Sequence, residues 1–210
     1  MRIAVLGANG RTGKLVVEQA LARGDDVIAL ARNPDNIAVG HDHIAIQRAD
    51  VLDPATLTTA LAGADAVVST LGIGNSRKPT EVYSAGIKNV LAAMDALGIS
   101  RISVVSASPA GPADDHPAFQ RRIVMPILWR FFGASYADMR RMEDVLRQSS
   151  ATWVSLRPPR LLEKRPKGHY SLGVRPDEIG RSIRYGDLAT ALLDVLDNAA
   201  VHQSARYISN

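Results

Sequence analysis

The chain has 210 residues, a formal net charge of +4, and 46% apolar and 22% charged residues, the balance of a soluble globular protein. It contains no cysteine, which excludes disulfides, thiolate metal sites and cysteine catalysis. No apolar run approaches the roughly 20 residues of a membrane span, and the start of the chain lacks a signal-peptide pattern, so we expect a cytoplasmic protein. A basic stripe interleaved with aromatic residues, which would indicate nucleic-acid binding, is absent from the sequence, so we expect no nucleic-acid partner.

Short apolar runs alternate with helical patterns along most of the chain. The apolar runs predict buried parallel strands at 2–6, 26–30, 43–47, 65–70, 101–106 and 152–157. The stretches between them predict helices over 11–23, 54–62, 80–97 and 135–149, and three of these are followed by a glycine, as helix ends prefer. This alternation predicts an α/β fold, a Rossmann-like doubly wound parallel sheet with right-handed crossovers.

The pattern changes after residue 157. We interpret residues 1–210 as one domain with a core, 1–157, and a small C-terminal segment, 158–210. That segment starts with a loop rich in proline and positive charge, which leads to a short strand near 169–174. A helix over 185–198, with Asp187 as its N-cap, and a last strand at 205–210 follow.

Three glycines, Gly7, Gly10 and Gly13, are spaced three apart where the first strand meets the first helix. Gly7 would make a tight turn, Gly10 would let the backbone approach a diphosphate, and Gly13 would let the helix pack against the strand. Amides at the helix N-terminus would then face the anion. Because the pattern lies at the first strand-to-helix junction of an α/β chain, it predicts a dinucleotide site rather than a glycine turn without a ligand.

The end of the second strand indicates which dinucleotide is bound. An NAD site usually has an acidic residue there, about 20 residues beyond the motif. This chain has Arg32 instead, within ALARNP. An arginine suits the 2′-phosphate of NADP, and Arg11 in the glycine loop could reach the same phosphate, so we predict NADPH as the cofactor. Asp50, after the third strand, either accepts from the adenine amino group or is a turn or N-cap aspartate near Pro54.

Several stretches along nearly the whole chain match one known family. They are GANGRTG in place of GATGxTG, then LARNP, ADVLD, VVSTLG, GIKNVLAAMDALGISRISVVSAS, RMEDVLRQSSATWVSLRPPRL and YGDLATALLDVL. The chain thereby resembles atypical short-chain dehydrogenase/reductases with an NmrA-like NAD(P)H-binding domain, and among them the flavin reductases, also called biliverdin reductase B. The resemblance implies that the core binds the dinucleotide and that residues 158–210 lie on the substrate side.

By the same resemblance, the cofactor contacts fall on Gly7, Asn9, Gly10, Arg11, Thr12, Gly13, Arg32, Asp50, Val51, Leu71, Gly72 and Ser106, with Pro158 and Pro159 shaping the nicotinamide side. The chain departs from the flavin reductases at two positions. Their serine is replaced by Ala107, which Ser106 and Ser108 flank, and either hydroxyl could serve after a small shift. Their histidine is replaced by Arg160, which cannot shuttle a proton near neutral pH but could hold an anionic or carbonyl-bearing substrate.

Candidate catalytic residues are Ser106, Ser108, Tyr136 and Arg160. Many relatives donate a proton from a Tyr-x-x-x-Lys pair, which this chain lacks. Tyr136 and Arg140 have that spacing, but they also fit an ordinary scaffold helix. Ser106 and Ser108 could bind the nicotinamide amide or the substrate, or could simply satisfy loop backbone groups. Without a proton donor, flavins and quinones are the easiest acceptors, because they take hydride and then draw the proton from water.

Two further segments leave alternatives open. The stretch FQRRIVMPILWRFFG, 119–133, mixes apolar residues with arginine, and it fits a substrate lid, a dimer surface, a patch that touches membrane, or a helix packed on its own core. His41 and His43 are interpreted as part of a solvated turn, and we predict no metal site.

These inferences predict an NADPH-dependent oxidoreductase that transfers hydride to a small planar acceptor such as a flavin or quinone. Its expected partner is that small molecule, and the chain would be a monomer or a homodimer without a membrane span. The alternative is a non-catalytic NADP(H)-binding redox sensor of the NmrA-like type. A third reading, epimerisation or dehydration of a sugar nucleotide, usually needs the Tyr/Lys pair and a larger substrate lobe.

Overall fold

The computed structural model describes residues 1–37, 40–74, 76 and 78–210. Strands β1 to β10 span Arg2–Leu6, Asp26–Ala31, Ile44–Arg48, Ala66–Ser69, Arg101–Val105, Thr152–Arg157, Arg160–Leu162, Ser171–Gly173, Ser182–Arg184 and Ser204–Ser209. Helices α1 to α5 span Arg11–Ala22, Pro54–Leu61, Ser84–Leu97, Met125–Arg147 and Tyr185–Asp194. The strands of the core and helices α1 and α2 therefore lie close to the ranges that the sequence predicts.

Eight strands form the central sheet, in the order β3, β2, β1, β4, β5, β6, β10, β8. All of its pairings are parallel except that of β8 with β10. The chain runs outward from β1 to β3 in one direction and from β4 onward in the other. The strand order therefore reverses between β1 and β4, and the carboxyl ends of these two strands flank the crevice where such sheets bind ligands.

Both faces of the sheet are covered by helices. Side chains of β1 alternate between two buried clusters: Ile3 and Val5 join one, whereas Ala4 and Leu6 join the other. The first cluster also holds buried residues of α1 and α5, and the second holds those of α2, α3 and α4. A strand buried on both sides needs apolar residues at every position, which explains the continuous apolar runs in the sequence. The predicted Rossmann-like doubly wound fold is confirmed.

Two helices of the core differ from their predicted bounds. The helix predicted from 135 begins at Met125 and continues from a π-helical turn, Gln120–Val124, so it includes most of the segment 119–133. Pro126 is tolerated there because it lies in the first turn of α4. Helix α3 begins at Ser84 rather than 80 because its first amides need an acceptor, and the buried Asp138 of α4 accepts from the amide of Tyr83 at 2.9 Å.

The C-terminal segment contains three departures from the prediction. Asp187 is not an N-cap: helix α5 begins at Tyr185, and the buried Asp187 carboxylate accepts from the amides of Lys167 and Gly168, each at 2.9 Å. The helix ends at Asp194, earlier than predicted. The loop predicted after residue 157 contains β7, which pairs with β9 in a separate two-stranded parallel sheet. Among the described residues, no helix combines the length and apolar character needed to cross a membrane.

Candidate functional site

The glycine loop packs so tightly that side chains are excluded at two of its positions. Gly7 has a φ of +77°, and a Cβ there would lie 2.8 Å from the carbonyl oxygen of Thr70. A Cβ on Gly13 would lie 2.2 Å from the carbonyl oxygen of Gly7, and one on Gly10 would lie 3.2 Å from the same oxygen. Helix α1 therefore rests directly on the loop, at the junction of β1 and β4.

The N-terminus of α1 has no capping group of its own. Gly10 occupies the N-cap position without a side-chain hydrogen bond, and the first turn contains no acidic residue. Thr12 and Gly13 of that turn are buried. Since helix N-terminal amides carry partial positive charge, this turn offers hydrogen-bond donors to an anion in the crevice.

Asn9 connects the glycine loop to the end of β2. Its Nδ2 donates to the carbonyl oxygen of Asn33 at 2.6 Å, which places Asn9 beside the turn that carries Arg32. The Asn9 Oδ1 atom is buried and has no hydrogen-bond partner within the part of the chain that the structure describes. Arg32 is exposed, and Ala31 before it pairs in register with Arg48 of β3. Arg48 brings a second positive charge to this corner, which the sequence prediction missed because only strand register shows it.

Arg11 contacts two residues of the C-terminal segment. Its guanidinium lies 3.5 Å from the Glu163 carboxylate and 5.9 Å from the ring centroid of Tyr185. Glu163 follows β7 and Tyr185 begins α5, so both belong to the C-terminal segment. The structure thus places Arg11 beside the C-terminal segment, 158–210.

The residues predicted after β3 and β4 lie around the start of α3. Asp50 has the turn role, since its Oδ1 accepts from the amide of Leu52 at 3.0 Å, and the N-cap of α2 is Asp53. Val51 is buried, and a Cβ on Gly86 would lie 2.7 Å from its Cγ2 and 3.8 Å from Leu71. Space is open around Gly72. Val51 and Leu71 therefore form an apolar wall beside the crevice, with Gly72 at its open edge.

The two serines after β5 differ in their environment. Ser106 is 2% exposed, and its Oγ has no hydrogen-bond partner among the described residues. Ser108 is also buried: its amide donates to the carbonyl oxygen of Pro158 at 2.8 Å, and its carbonyl oxygen contacts His116 Nε2 at 3.1 Å. The structure thus brings Ser108 together with Pro158, which Pro159 follows. Ser106, by contrast, has a hydroxyl without a hydrogen-bond partner among the described residues, at the carboxyl end of the sheet.

Tyr136 and Arg140 do not form a pair. Arg140 donates from Nε to the carbonyl oxygen of Ala110 at 2.8 Å and from Nη2 to that of Gly111 at 2.9 Å. Tyr136 packs edge-on against Trp129, and burial raises the pKa of its hydroxyl. Arg140 therefore fixes the loop after β5, as in the scaffold alternative. Arg160, the other candidate, is exposed at the start of β7.

A cavity of about 280 Å³ lies between the loop after β5 and the start of α4. Its walls are mostly apolar, with two arginines and a buried histidine among them: Pro109, Gly111, Ala113, His116, Arg121, Met125, Pro126, Trp129 and Arg140. No sequence pattern singles out His116, an isolated histidine that is 3% exposed and meets the Tyr207 ring edge-on. The volume of the cavity lies just below the roughly 300–1,000 Å³ of ordinary ligand pockets, and its mostly apolar lining with a few polar groups is typical of them.

A buried ionic network holds that loop in place. Glu143 and Arg157 are 1% and 5% exposed, and Arg157 Nη2 lies 2.5 Å from Glu143 Oε2. Burial has the largest single effect and works to lower the pKa of Arg157, but the hydrogen bond and the charge of Glu143, together with Tyr207, raise the pKa overall. Tyr207 donates to Asp115 at 2.7 Å, and burial, followed by this bond, raises the Tyr207 pKa. Asp115 also lies 3.8 Å from Arg157, so the network connects β6, α4 and β10 to the cavity loop.

The chain matches the NAD(P)H-binding family model over residues 7–199. An uncharacterized protein of Mycobacterium tuberculosis is 34% identical over 108 residues, which are 51% of this chain and 12% of that protein, so the chain spans about an eighth of that relative's length. The (4-alkanoyl-5-oxo-2,5-dihydrofuran-3-yl)methyl phosphate reductase of Streptomyces griseus is 28% identical over 97% of this chain and 62% of its own length.

Two solved structures share the fold across the whole chain. The anaerobillin reductase ChuY of Escherichia coli O157:H7 has a TM-score of 0.82 at 20% identity, covering 100% of this chain and 97% of that one. A short-chain dehydrogenase/reductase of Veillonella parvula in complex with NADP has a TM-score of 0.78 at 18% identity, covering 100% and 94%. Because the family match begins at Gly7 and extends through α5, the chain belongs to the NAD(P)H-binding family.

Proposed function

We propose that the chain is an NADPH-dependent oxidoreductase that transfers hydride to a small planar acceptor such as a flavin or a quinone. The observation that carries the proposal is that three features lie together: Gly7 and Gly13 leave no space for a Cβ, the N-terminus of α1 has no capping side chain, and Arg32 follows β2 beside the β3 residue Arg48. A diphosphate needs amide donors and close backbone approach, and a 2′-phosphate needs positive charge at that corner. Arg32 and Arg48 supply that charge.

The remaining residues would bind and orient the dinucleotide. Among the described residues, five buried side-chain atoms lack a hydrogen-bond partner, and two of them, Asn9 Oδ1 and Ser106 Oγ, border the crevice, where a bound dinucleotide would supply the missing hydrogen bonds. Val51 and Leu71 offer apolar contact, and Pro158 and Pro159 shape the nicotinamide side. The cofactor itself supplies the hydride, so the protein needs only to orient the acceptor and exclude water.

The acceptor would occupy the cavity beside Ser108 and His116. Its apolar walls suit a flat ring system, and Arg121 and Arg140 can balance charge that develops on the acceptor. The proposal is supported by relatives whose names describe reductases, by the NADP complex of the Veillonella protein, and by the resemblance to flavin reductases. Flavins and quinones need no proton from a protein acid, which agrees with the engagement of Arg140 away from Tyr136.

Replacement of Arg32 tests the cofactor preference. We expect Arg32→Ala to weaken NADPH binding about tenfold or more, because a charge-assisted hydrogen bond contributes roughly 1.5–3 kcal/mol, and to leave NADH binding nearly unchanged. Calorimetric titration with both dinucleotides measures this. Arg2→Ala is the matched control, since Arg2 begins β1 at the amino end of the parallel strands, away from the carboxyl ends where the crevice lies. Equal losses for NADPH and NADH would contradict the role of Arg32, and no binding of either to the unmodified chain would contradict the glycine-loop interpretation.

A second candidate function is a non-catalytic NADP(H)-binding redox sensor. The absence of a Tyr/Lys proton pair and the structural engagement of Arg140 favour it. The two functions separate in one assay, in which absorbance of the nicotinamide band is followed after FMN or a quinone is added to NADPH and the protein. Decay that depends on the acceptor supports the reductase, and tight NADPH binding without decay across flavins, quinones and dyes supports the sensor.

Replacement of Tyr136 tests whether the protein donates the proton. We expect Tyr136→Phe to keep turnover within about twofold of the unmodified chain, because Tyr136 packs in an aromatic cluster and its raised pKa makes proton release harder. Steady-state rates with FMN across neutral pH measure this. A loss of about a hundredfold, the usual contribution of a general acid, would instead assign Tyr136 a catalytic role.

A further inference from the structure

The outer side of the helical segment that begins α4 exposes an unusual set of apolar residues. The described residues expose nine large hydrophobic side chains, and five of them lie between residues 119 and 132. The chain has three phenylalanines, and all three belong to this set. We define the apolar stripe as Phe119, Ile123 and Ile127, which recur every four residues and are 66%, 50% and 55% exposed. A cluster of this kind marks an interaction surface, whereas single exposed apolar residues do not.

The inner side of the same segment is already bound to the body of the protein. Trp129 Nε1 donates to the carbonyl oxygen of Pro109 at 3.2 Å, and the Arg140 guanidinium lies 4.4 Å from the Trp129 ring centroid. Met125 and Pro126 line the cavity on this side. The segment is thus fixed by its inner side, and packing on the core does not account for the apolar stripe.

The charge around the apolar stripe limits what can cover it. Arg121, Arg122 and Arg130 flank the stripe, and no acidic residue occurs from 116 to 137. Arg121 pairs with Asp114 at 2.7 Å, which leaves Arg122 and Arg130 as the cations of this surface. A second copy related by a two-fold axis through the stripe would bring like charges together. The complementary surface must therefore be both apolar and anionic.

We propose that the apolar stripe docks on lipid bilayers that contain anionic phospholipids. Helices bound at a bilayer interface combine apolar residues that enter the acyl boundary with basic residues at the headgroups, and Phe119, Ile123 and Ile127 beside Arg122 and Arg130 have this arrangement. The stripe protrudes from one helix rather than lining a groove, which suits a fluid planar surface. The proposal concerns binding alone and does not depend on the reductase function.

Vesicle flotation tests the proposal. We expect the chain to float with vesicles of phosphatidylcholine mixed with phosphatidylglycerol, to float far less with phosphatidylcholine alone, and to be released by high salt. The triple variant Phe119→Ser, Ile123→Ser, Ile127→Ser should bind at least about tenfold more weakly. The double variant Arg122→Gln, Arg130→Gln should also lose on the order of tenfold.

The matched control is Leu52→Ser with Val174→Ser, which removes apolar side chains 48% and 59% exposed elsewhere on the surface and should leave flotation unchanged. NADPH titration of each variant checks that it remains folded. Failure of the unmodified chain to bind anionic vesicles overturns the proposal, as does equal loss in the control variant. Light scattering adds a further outcome: a dimer that the triple variant converts to a monomer, without vesicle binding, would assign the stripe to a second copy.

Discussion

Gly13→Ala is expected to lower the free energy of unfolding by about 3 kcal/mol or more and to abolish detectable NADPH binding. The added Cβ would lie 2.2 Å from the Gly7 carbonyl oxygen, 2.8 Å from Thr70 Oγ1 and 2.9 Å from the Ala8 Cα. Two of these neighbours are backbone atoms, which cannot move aside as a flexible side chain can. Relief requires α1 to shift away from the loop, and that shift displaces the amides proposed to face the diphosphate.

The sign of the stability change on Gly13→Ala depends on which of two opposing effects is larger. Alanine in a helix interior is favoured over glycine by about 1 kcal/mol, so without the contact the substitution would stabilise α1. Forcing an additional methyl group into a close-packed site costs typically about 1–3 kcal/mol and more where the neighbours are rigid. A backbone contact far inside van der Waals distance belongs at the upper end of that range, so the steric cost exceeds the gain in helix propensity.

Gly98→Ala separates the clash from backbone strain. Gly98 has a φ of +69° and open space where a Cβ would lie, so this variant measures the cost of a left-handed conformation alone, about 1–2 kcal/mol, with NADPH binding retained. Urea denaturation and calorimetric titration of both variants provide the comparison. A Gly13→Ala protein as stable as the Gly98→Ala protein, with NADPH affinity intact, would show that the loop does not constrain the site.

Local sequence patterns predicted the parts of the fold that depend on neighbouring residues. The apolar strands of the core are buried on both faces, and that burial requires an unbroken apolar run that the sequence displays. The glycine loop was predictable for the same reason, because Gly7 and Gly13 both lie within one strand-to-helix junction and their spacing is visible in the sequence. Arg32 was identified by its position at the end of a strand rather than by any contact.

Long-range pairings explain what the sequence left undetermined. Asp187 has the spacing of an N-cap, but its partners are the amides of Lys167 and Gly168, which precede it by 20 and 19 residues that include β8 and β9. The start of α3 is likewise set by Asp138, which is distant in sequence. Arg48 lies opposite Ala31, the residue before Arg32, only through strand register. Side chains that bond distant backbone groups leave no periodic signal in the sequence. The helix caps, the loop after β5 and the ionic network that holds it could therefore be identified only from the structure.

Glu143→Ala is expected to lower the free energy of unfolding by about 3–5 kcal/mol, the usual cost of breaking a buried ion pair from one side. For a chain of this size that corresponds to a fall in Tm of roughly 10 °C. Glu143 is 1% exposed, and its loss leaves the 5% exposed Arg157 with Asp115 at 3.8 Å as its nearest carboxylate. The adjacent Asp144 provides the control, because it pairs with Arg147 at the surface, and Asp144→Ala should cost less than about 1 kcal/mol.

The double variant Glu143→Met, Arg157→Met distinguishes an unpaired buried charge from lost packing. With both charges removed, the desolvation cost disappears, so we expect the double variant to be more stable than Glu143→Ala. Because Asp115 then keeps its bond from Tyr207 but loses Arg157, the cavity loop should loosen, and acceptor affinity should fall while NADPH affinity is retained. Thermal unfolding with parallel titrations measures all three effects. A double variant less stable than Glu143→Ala would mean that the ion pair contributes net stability beyond its own desolvation cost.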